Sequence, residues 1–423
     1  MDISKYNVIC SDEKKVLIFN TLTSAMIKMS PEEWQLVETS KLDKVNSQIL
    51  TQLSKMGILV ENTDAQLLHF KYRFYRTAFG VKEPFLYIAP TMRCNFECFY
   101  CFEQGNKNQG LMSEATAQKI VQFLTSNNKK SVKIVWFGGE PMLGFKIILY
   151  LCQLLSKEGI SFTSSMITNG SLFTEENIRL LSQLNLTFIQ FSMDGIYETH
   201  DKRRCFIDGK PSFSIVIENL ERILTQTKIP VIIQVTMDRQ NSSAYDELKN
   251  FCFKRFPQFM DNGRLQIGFN NVQNRTGFDS TGSCFSQEEL VSEEIHRIQT
   301  QNRSSVRIPS LSYPCMYRAS WYYAIDPKGN LYKCIEQLGN PSERVGSLNE
   351  DFLSLQRMGA CAFQEEAFSD PECRECSIFP ICGGGCPLDR IKRAKGETRE
   401  VCSKYKEGLI KILPALYEKL RQA

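Results

Sequence analysis

Histidine is scarce. The 423-residue chain has three, His69, His200 and His296, too scattered for a histidine-built metal site or a nucleophile–base triad. Strong charge is also lacking. There are 51 Lys and Arg against 47 Asp and Glu, a net +4, and no dense basic run interleaves with aromatics, so nothing calls for a nucleic-acid partner. The longest apolar stretch, near 147–155, falls far short of the roughly 20 residues needed to span a bilayer. Residues 1–15 are mixed and charged, with no apolar signal segment. These absences lead to the expectation of a cytoplasmic protein with no membrane association.

Against these absences stand 16 cysteines. A compartment that keeps thiols reduced does not use them as a disulfide framework. Cys10, Cys152, Cys205, Cys252, Cys284 and Cys361 are scattered, as small buried hydrophobes would be. The rest fall into ligand-like spacings. Cys94, Cys98 and Cys101 form C-x3-C-x2-C with no fourth cysteine at matching distance. A structural zinc site wants four closed ligands, and an electron-transfer cubane normally has four cysteines. Three thiolates leave one iron open, which points to a cluster that does chemistry. A partial zinc knuckle is the alternative from spacing alone.

The apolar rhythm divides the chain. Residues 1 to about 70 read as a small module: strands near 7–10, 15–20 and 24–29, a helix opened by Pro31, a second helix near 44–56 and a strand at 58–60. That order describes a winged-helix shape. From Phe85 onward, six apolar strands alternate with five amphipathic helices, ending near Phe269, and such alternation implies a parallel sheet. Six units are too few for a closed eight-stranded barrel.

Parallel barrels gather their active sites at the C-terminal ends of their strands. The unusual segments stand there in order: the cysteine loop after the first strand, Gly138-Gly139-Glu140 after the second, Thr168-Asn169-Gly170 after the third, and Ser192-Met193-Asp194-Gly195 after the fourth. A Gly-Gly pair lets backbone approach a ligand, and the carboxylate after it can accept from an ammonium group. His200, Asp201, Arg203 and Arg204 follow as either a solvated loop or a ligand contact. The last third brings Cys315-x13-Gly329-x4-Cys334, then Cys373-x2-Cys376-x5-Cys382-x3-Cys386, and finally Cys402.

C-x3-C-x-aromatic-C resembles the signature of the radical S-adenosylmethionine (SAM) enzymes. The resemblance implies an α/β fold with an open (β/α)6 partial TIM barrel at about 80–280. It implies a 4Fe-4S cluster on Cys94, Cys98 and Cys101 whose open iron chelates SAM, yielding a 5′-deoxyadenosyl radical that abstracts hydrogen. By position, Gly138, Gly139 and Glu140 fall at the amino end of SAM, Ser192 near its ribose or carboxylate with Asp194 beside it, and Tyr100 near the adenine. The C-terminal cysteines resemble the SPASM extension, placed here at 310–423 behind a bridging helical segment at 281–309. That family holds two auxiliary 4Fe-4S clusters, here on Cys315, Cys334 and Cys386, and on Cys373, Cys376, Cys382 and Cys402. Some members supply a fourth ligand to the first cluster. Trp321 stands about where it would be, and Cys361 is the nearest unassigned candidate.

The module at 1–70 looks like the winged-helix domain that binds the leader of a precursor peptide as an added strand. Together these resemblances imply a cytoplasmic oxidoreductase that matures ribosomally made peptides through thioether or carbon–carbon cross-links. Its expected partners are the precursor peptide and an electron donor such as flavodoxin or ferredoxin. An anaerobic sulfatase-maturating, formylglycine-forming enzyme is one alternative. A zinc-binding winged-helix scaffold is another.

Overall fold

The computed structural model describes residues 1–80, 82–106, 110–272, 282–300, 303, 306–311, 315–350, 367–398 and 400–421. Cys361 lies outside the described residues.

The chain begins with β1 (Asp2–Ile3), followed by β2 (Asn7–Ser11), β3 (Val16–Asn20) and β4 (Met26–Met29), which pair antiparallel in that order. Helix α1 (Pro31–Glu38) starts on a capping box: Ser30 accepts from the Glu33 N–H, the Glu33 carboxylate accepts from the Ser30 N–H, and Pro31 fills the first position. Helix α2 (Ser47–Lys55) leads to β5 (Leu59–Val60), which pairs antiparallel with β1. Val16, Ile18, Met29, Trp34, Val37, Leu53 and Ile58 close a small core between these pieces. Helix α3 (Thr63–Phe79) follows, capped by Asn62. The sequence reading gives no helix there, because Leu68 and Tyr72 are exposed and blur the apolar stripe.

Six parallel strands come next, adjacent in chain order: β6 (Phe85–Ile88), β7 (Ser131–Trp136), β8 (Ser161–Thr168), β9 (Leu186–Met193), β10 (Val231–Met237) and β11 (Leu265–Asn271). Between them lie α4 (Glu114–Ser126), α5 (Phe145–Lys157), α6 (Glu175–Leu180), α7 (Tyr197–Arg203), α8 (Phe213–Gln226) and α9 (Ala244–Arg255). Alternation along β10 shows how the sheet is used. Val231, Ile233, Val235 and Met237 are buried, whereas Ile232, Gln234 and Thr236 on the opposite face are only half-buried. Register puts Ser192, Gln234 and Gly268 side by side on that second face. Helix α8 buries Phe213, Val216, Leu220, Ile223 and Leu224. Each such side chain contributes about 1.5–3 kcal/mol by leaving water.

After α10 (Gln287–Thr300), strand β12 (Tyr322–Ile325) pairs parallel with β6, and β13 (Asn330–Tyr332) and β14 (Gly346–Ser347) add antiparallel strands beyond it. Strands β12, β13 and β14 extend the six-stranded sheet to nine. Helices α11 (Pro387–Ala394) and α12 (Tyr405–Arg421) complete the described elements used below. No helix among the described residues is long and apolar enough to cross a membrane.

The chain divides into two compact units, Met1–Gly80 with Phe285–Ala319 and Cys361–Ala423, and Val81–Cys284 with Ser320–Ala360. The N-terminal module is thus part of a larger unit. Phe19 of β3 packs with Ile378, Leu409 and Ile412, and Tyr6 packs with Phe70, Phe368 and Phe379. The Thr21 hydroxyl donates to the Ser377 carbonyl.

Candidate active site

The cysteine loop leaves the end of β6 and is held from two sides. Phe96 bridges antiparallel to Phe206, with ring centroids 4.8 Å apart. The Glu97 N–H donates to the Cys205 carbonyl at 3.0 Å and the Ile207 N–H to the Asn95 carbonyl at 3.1 Å. On the other side Asn169 Nδ2 donates to Asn95 Oδ1 at 2.8 Å, and Asn95 Nδ2 donates to Ser171 Oγ at 2.9 Å. The three residues between Cys94 and Cys98 are therefore fixed by backbone and amide bonds; Cys98 is buried, and Cys94 and Cys101 are half-buried. Burial pushes the Cys94 thiol up to about 12, and negative charge on Glu140, Cys98 and Cys101 pushes the same way. Bound iron would favour the thiolates that this burial disfavours.

Gly138 and Gly139 are required by the cysteine loop itself. A Cβ on Gly139 would stand 2.3 Å from the Arg93 carbonyl oxygen, and one on Gly138 2.5 Å from that of Thr91. The pair lets the end of β7 lie against the backbone entering Cys94, with the Glu140 N–H donating to Arg93 O at 2.9 Å. The Glu140 side chain is fully buried and engaged by the chain: Oε1 accepts from Thr168 Oγ1 at 2.7 Å and Met142 N at 3.0 Å, and Oε2 from Asn169 N at 2.7 Å. Burial raises its carboxyl to about 7 against the pull of these donors. Its visible action is to tie the ends of β7 and β8 to each other.

Asp194, just past β9, is the hub of a buried ionic network. Its carboxylate accepts from the Tyr100 hydroxyl, from Arg204 Nε at 2.9 Å, from Arg203 Nε at 3.3 Å and from Thr236 N at 3.4 Å. Arg203 also grips Asp238 with two nitrogens, at 3.2 and 3.0 Å. Arg204 reaches back to Cys98 Sγ at 3.7 Å. Both guanidiniums lie over the Tyr100 ring, 5.2 and 5.4 Å from its centroid. Burial alone would raise Asp194, but Arg204, the Tyr100 hydroxyl and Arg203 hold its carboxyl below the usual range. His200 is buried beneath, its Nδ1 accepting from the Asp194 N–H at 3.4 Å, and burial pushes it down to about 4, so its ring is neutral.

Ser192 lies half-buried one register level below this hub, beside Gln234, whose buried Nε2 has no hydrogen-bond partner among the described residues. Tyr100 and Asp194 are thus brought into contact, Glu140 joins them only through the cysteine loop, and Ser192 faces the sheet surface between β8 and β10. Arg203, Arg204, Asp238 and Asn169 carry more of the site than the motifs indicated. Asp238 has no motif around it, and only its end-of-strand position marks it.

In the other unit, Cys373, Cys376, Cys382 and Cys402 line one cavity together with Arg390 and Lys406. Cys382-Gly383-Gly384-Gly385-Cys386 bends with positive φ at all three glycines. A Cβ on Gly385 would lie 2.0 Å from the Val401 carbonyl oxygen, so the bend brings the segment before Cys402 against the Cys382 turn. Zinc draws its donors to about 2.3 Å from one centre. Among the described residues no three His, Cys, Asp or Glu are gathered for one ion. Four thiols around a common void suit a larger iron–sulfur body. Cys315 and Cys386 belong to this unit, and Cys334 to the other.

Residues 88–252 match the model of the Radical SAM superfamily. The chain carries a radical SAM domain. It is an enzyme, related to sulfatase-maturating and peptide-modifying radical SAM enzymes. It is 24% identical over 343 residues to the serine-type anaerobic sulfatase-maturating enzyme of Klebsiella aerogenes, covering 76% of this chain and 83% of that protein. It is 22% identical over 454 residues to the radical SAM cyclopropyl synthase TigE of Paramaledivibacter caminithermalis, covering 96% of this chain and 94% of that one. The fold matches Streptococcus suis SuiB bound to precursor peptide SuiA with a TM-score of 0.54 at 17% identity, over 95% of this chain and 98% of that one. A radical SAM domain sets aside the reading of this protein as a non-enzymatic zinc scaffold.

Proposed function

We propose that this radical SAM enzyme modifies a ribosomally made precursor peptide, with the six parallel strands acting as an open (β/α)6 partial barrel. The observation that carries the peptide reading is extent. The fold match to SuiB, solved with its precursor peptide, spans 95% of the chain and the match to TigE 96%, whereas the match to the sulfatase maturase spans 76%. A peptide modifier needs somewhere to hold a leader, and residues 1–60 offer it as a winged-helix-like module. Among the described residues strand β4 pairs with β3 on one side only. Its free edge is a ready template for an added strand.

Cys94, Cys98 and Cys101 would hold the 4Fe-4S cluster, and the half-buried sheet face around Ser192 and Gln234 would receive SAM and the core peptide. When bound, the cluster and SAM supply hydrogen-atom abstraction from a C–H bond. The residues of the chain position and insulate. Arg204 places a positive charge beside Cys98, Asp194 fixes Arg204 and Tyr100, and the Glu140 carboxylate ties the ends of β7 and β8 to each other. Cys373, Cys376, Cys382 and Cys402 would hold an auxiliary cluster of the SPASM type. A reduced flavodoxin or ferredoxin would deliver the electron.

Sulfatase maturation is the second reading, favoured by the similarity to the Klebsiella aerogenes enzyme. Offering the anaerobically reconstituted enzyme both a leader-bearing peptide and a sulfatase-type peptide separates the two. A cross-linked product from the first supports peptide maturation. Formylglycine on the second, with the first untouched, replaces it.

A further inference from the structure

Arg390 lies on α11, four residues after Cys386, and is buried, with 6% of its surface exposed. Its guanidinium reaches three acceptors on two segments. Nε donates to the Gly384 carbonyl at 2.5 Å, inside the triple-glycine bend. Nη1 donates to Asp370 Oδ2 at 3.0 Å, and Asp370 caps the short turn that carries Cys373. Nη2 donates to Cys373 Sγ at 2.6 Å. A second guanidinium reaches the same glycine bend: Arg318 donates to the Gly383 carbonyl at 3.0 Å and lies 5.2 Å over the Phe74 ring. Among the described residues Arg318 has no carboxylate partner. A buried cation is costly unless opposite charge stands nearby, and a cluster with four thiolate ligands carries net negative charge.

We propose that Arg390 tunes the reduction potential of the cluster held by Cys373, Cys376, Cys382 and Cys402, by donating to the Cys373 sulfur. This rests on the iron–sulfur reading of those four cysteines. The reduced cluster carries one more negative charge than the oxidised one. A cationic donor on a ligand sulfur therefore stabilises the reduced form more, and the potential rises. Asp370 acts in the opposite sense, since its carboxylate offsets part of the Arg390 charge. Arg390 is thus a positioning and tuning residue, tied at Nε and Nη1 so that Nη2 meets the sulfur in one geometry. Lysine could not span three such acceptors.

The test is a redox titration followed by electron paramagnetic resonance on the full-length reconstituted protein. A Cys94, Cys98, Cys101→Ala background removes the first cluster, and the signal lost with Cys376→Ala identifies the site. Arg390→Gln should keep its iron and shift the equilibrium about tenfold against reduction, about 59 mV for one electron. Asp370→Asn, which can still cap the turn, should shift the potential the other way. Full iron and an unchanged potential in Arg390→Gln overturns the inference. If Arg390→Gln loses its iron, Asp370→Asn decides: a positive shift supports the inference, and no shift or a negative one overturns it. If the unsubstituted protein shows no Cys376-dependent iron signal, the cluster reading itself fails, and the inference with it.

Discussion

The Tyr100 hydroxyl donates to the buried Asp194 carboxylate. Tyr100 stands one residue before the last cysteine of the triad, and Asp194 one residue past the fourth parallel strand. This bond couples the thiol loop to the sheet rim. Arg204 repeats the coupling by touching Asp194 and Cys98 at once. The site is held by a charge network as much as by its cysteines.

Asp194→Asn removes the charge that Arg204 and the Nε of Arg203 both face. Breaking a buried pair in this way costs about 3–5 kcal/mol. Chemical denaturation should show a loss of that order. Cleavage of SAM should fall with it, because the Tyr100 ring and Arg204 lose their common anchor. A variant as stable as the parent would show that the network is ornamental.

His200 gives a pH signature. Its pKa is about 4 in the fold against an ordinary 6.5, so below pH 6.5 the unfolded chain binds a proton that the folded chain does not. Its contribution is complete above pH 6.5 and is lost as pH falls toward 4, to a total of about 3 kcal/mol. The groups facing it are Asp194, Arg204 and Asp201. His200→Asn keeps an acceptor for the Asp194 N–H and has no proton to gain. Denaturation between pH 4 and 7 should therefore give a shallower slope in the variant than in the parent. Equal slopes would contradict a buried neutral imidazole.

Gly385→Ala tests the cysteine-rich turn. The new Cβ would meet the Val401 carbonyl oxygen at 2.0 Å, at a backbone φ of +75°. Strain alone costs about 1–3 kcal/mol, and the clash displaces the segment leading to Cys402. Iron content after reconstitution should drop, while the cluster on Cys94, Cys98 and Cys101 remains. Full iron content in this variant would show that Cys402 is not held against the turn.

Leader docking should be visible by hydrogen exchange. An added strand on the free edge of β4 protects outward-facing amides within 26–29, and leaves β2 unchanged. Deleting the module is a poor test, because Tyr6 and Phe19 are fully buried against residues near 378 and 409. Removing them opens the core of the cysteine-bearing unit. Protection confined to β2, or none, would contradict docking at β4.

Much of this was legible in the sequence. Strand order from β2 to β11, and the labelled helices within that span other than α3 and α7, followed from apolar period, since each such helix buries one stripe and each strand alternates. The cysteine loop and the Gly138–Glu140 segment were visible as motifs. What they do was less visible. Gly139 reads as room for a ligand, yet its immediate neighbour is the Arg93 backbone. Arg203 and Arg204 read as either a surface loop or a contact, because charge on a chain does not announce burial. Asp238 pairs with Arg203 across 35 positions, and Cys373 meets Arg390 across 17, so neither pair leaves a local pattern. The pairing of β12 with β6 joins segments more than 200 residues apart for the same reason.

The most direct measurement is mass spectrometry of a leader-bearing precursor peptide co-expressed without oxygen with the parent enzyme or with Cys98→Ala. Peptide maturation predicts that the parent enzyme removes two hydrogens from the peptide and closes a cross-link, and that Cys98→Ala leaves it unchanged. An unmodified peptide with the parent enzyme, or the same modification with Cys98→Ala, would contradict the account.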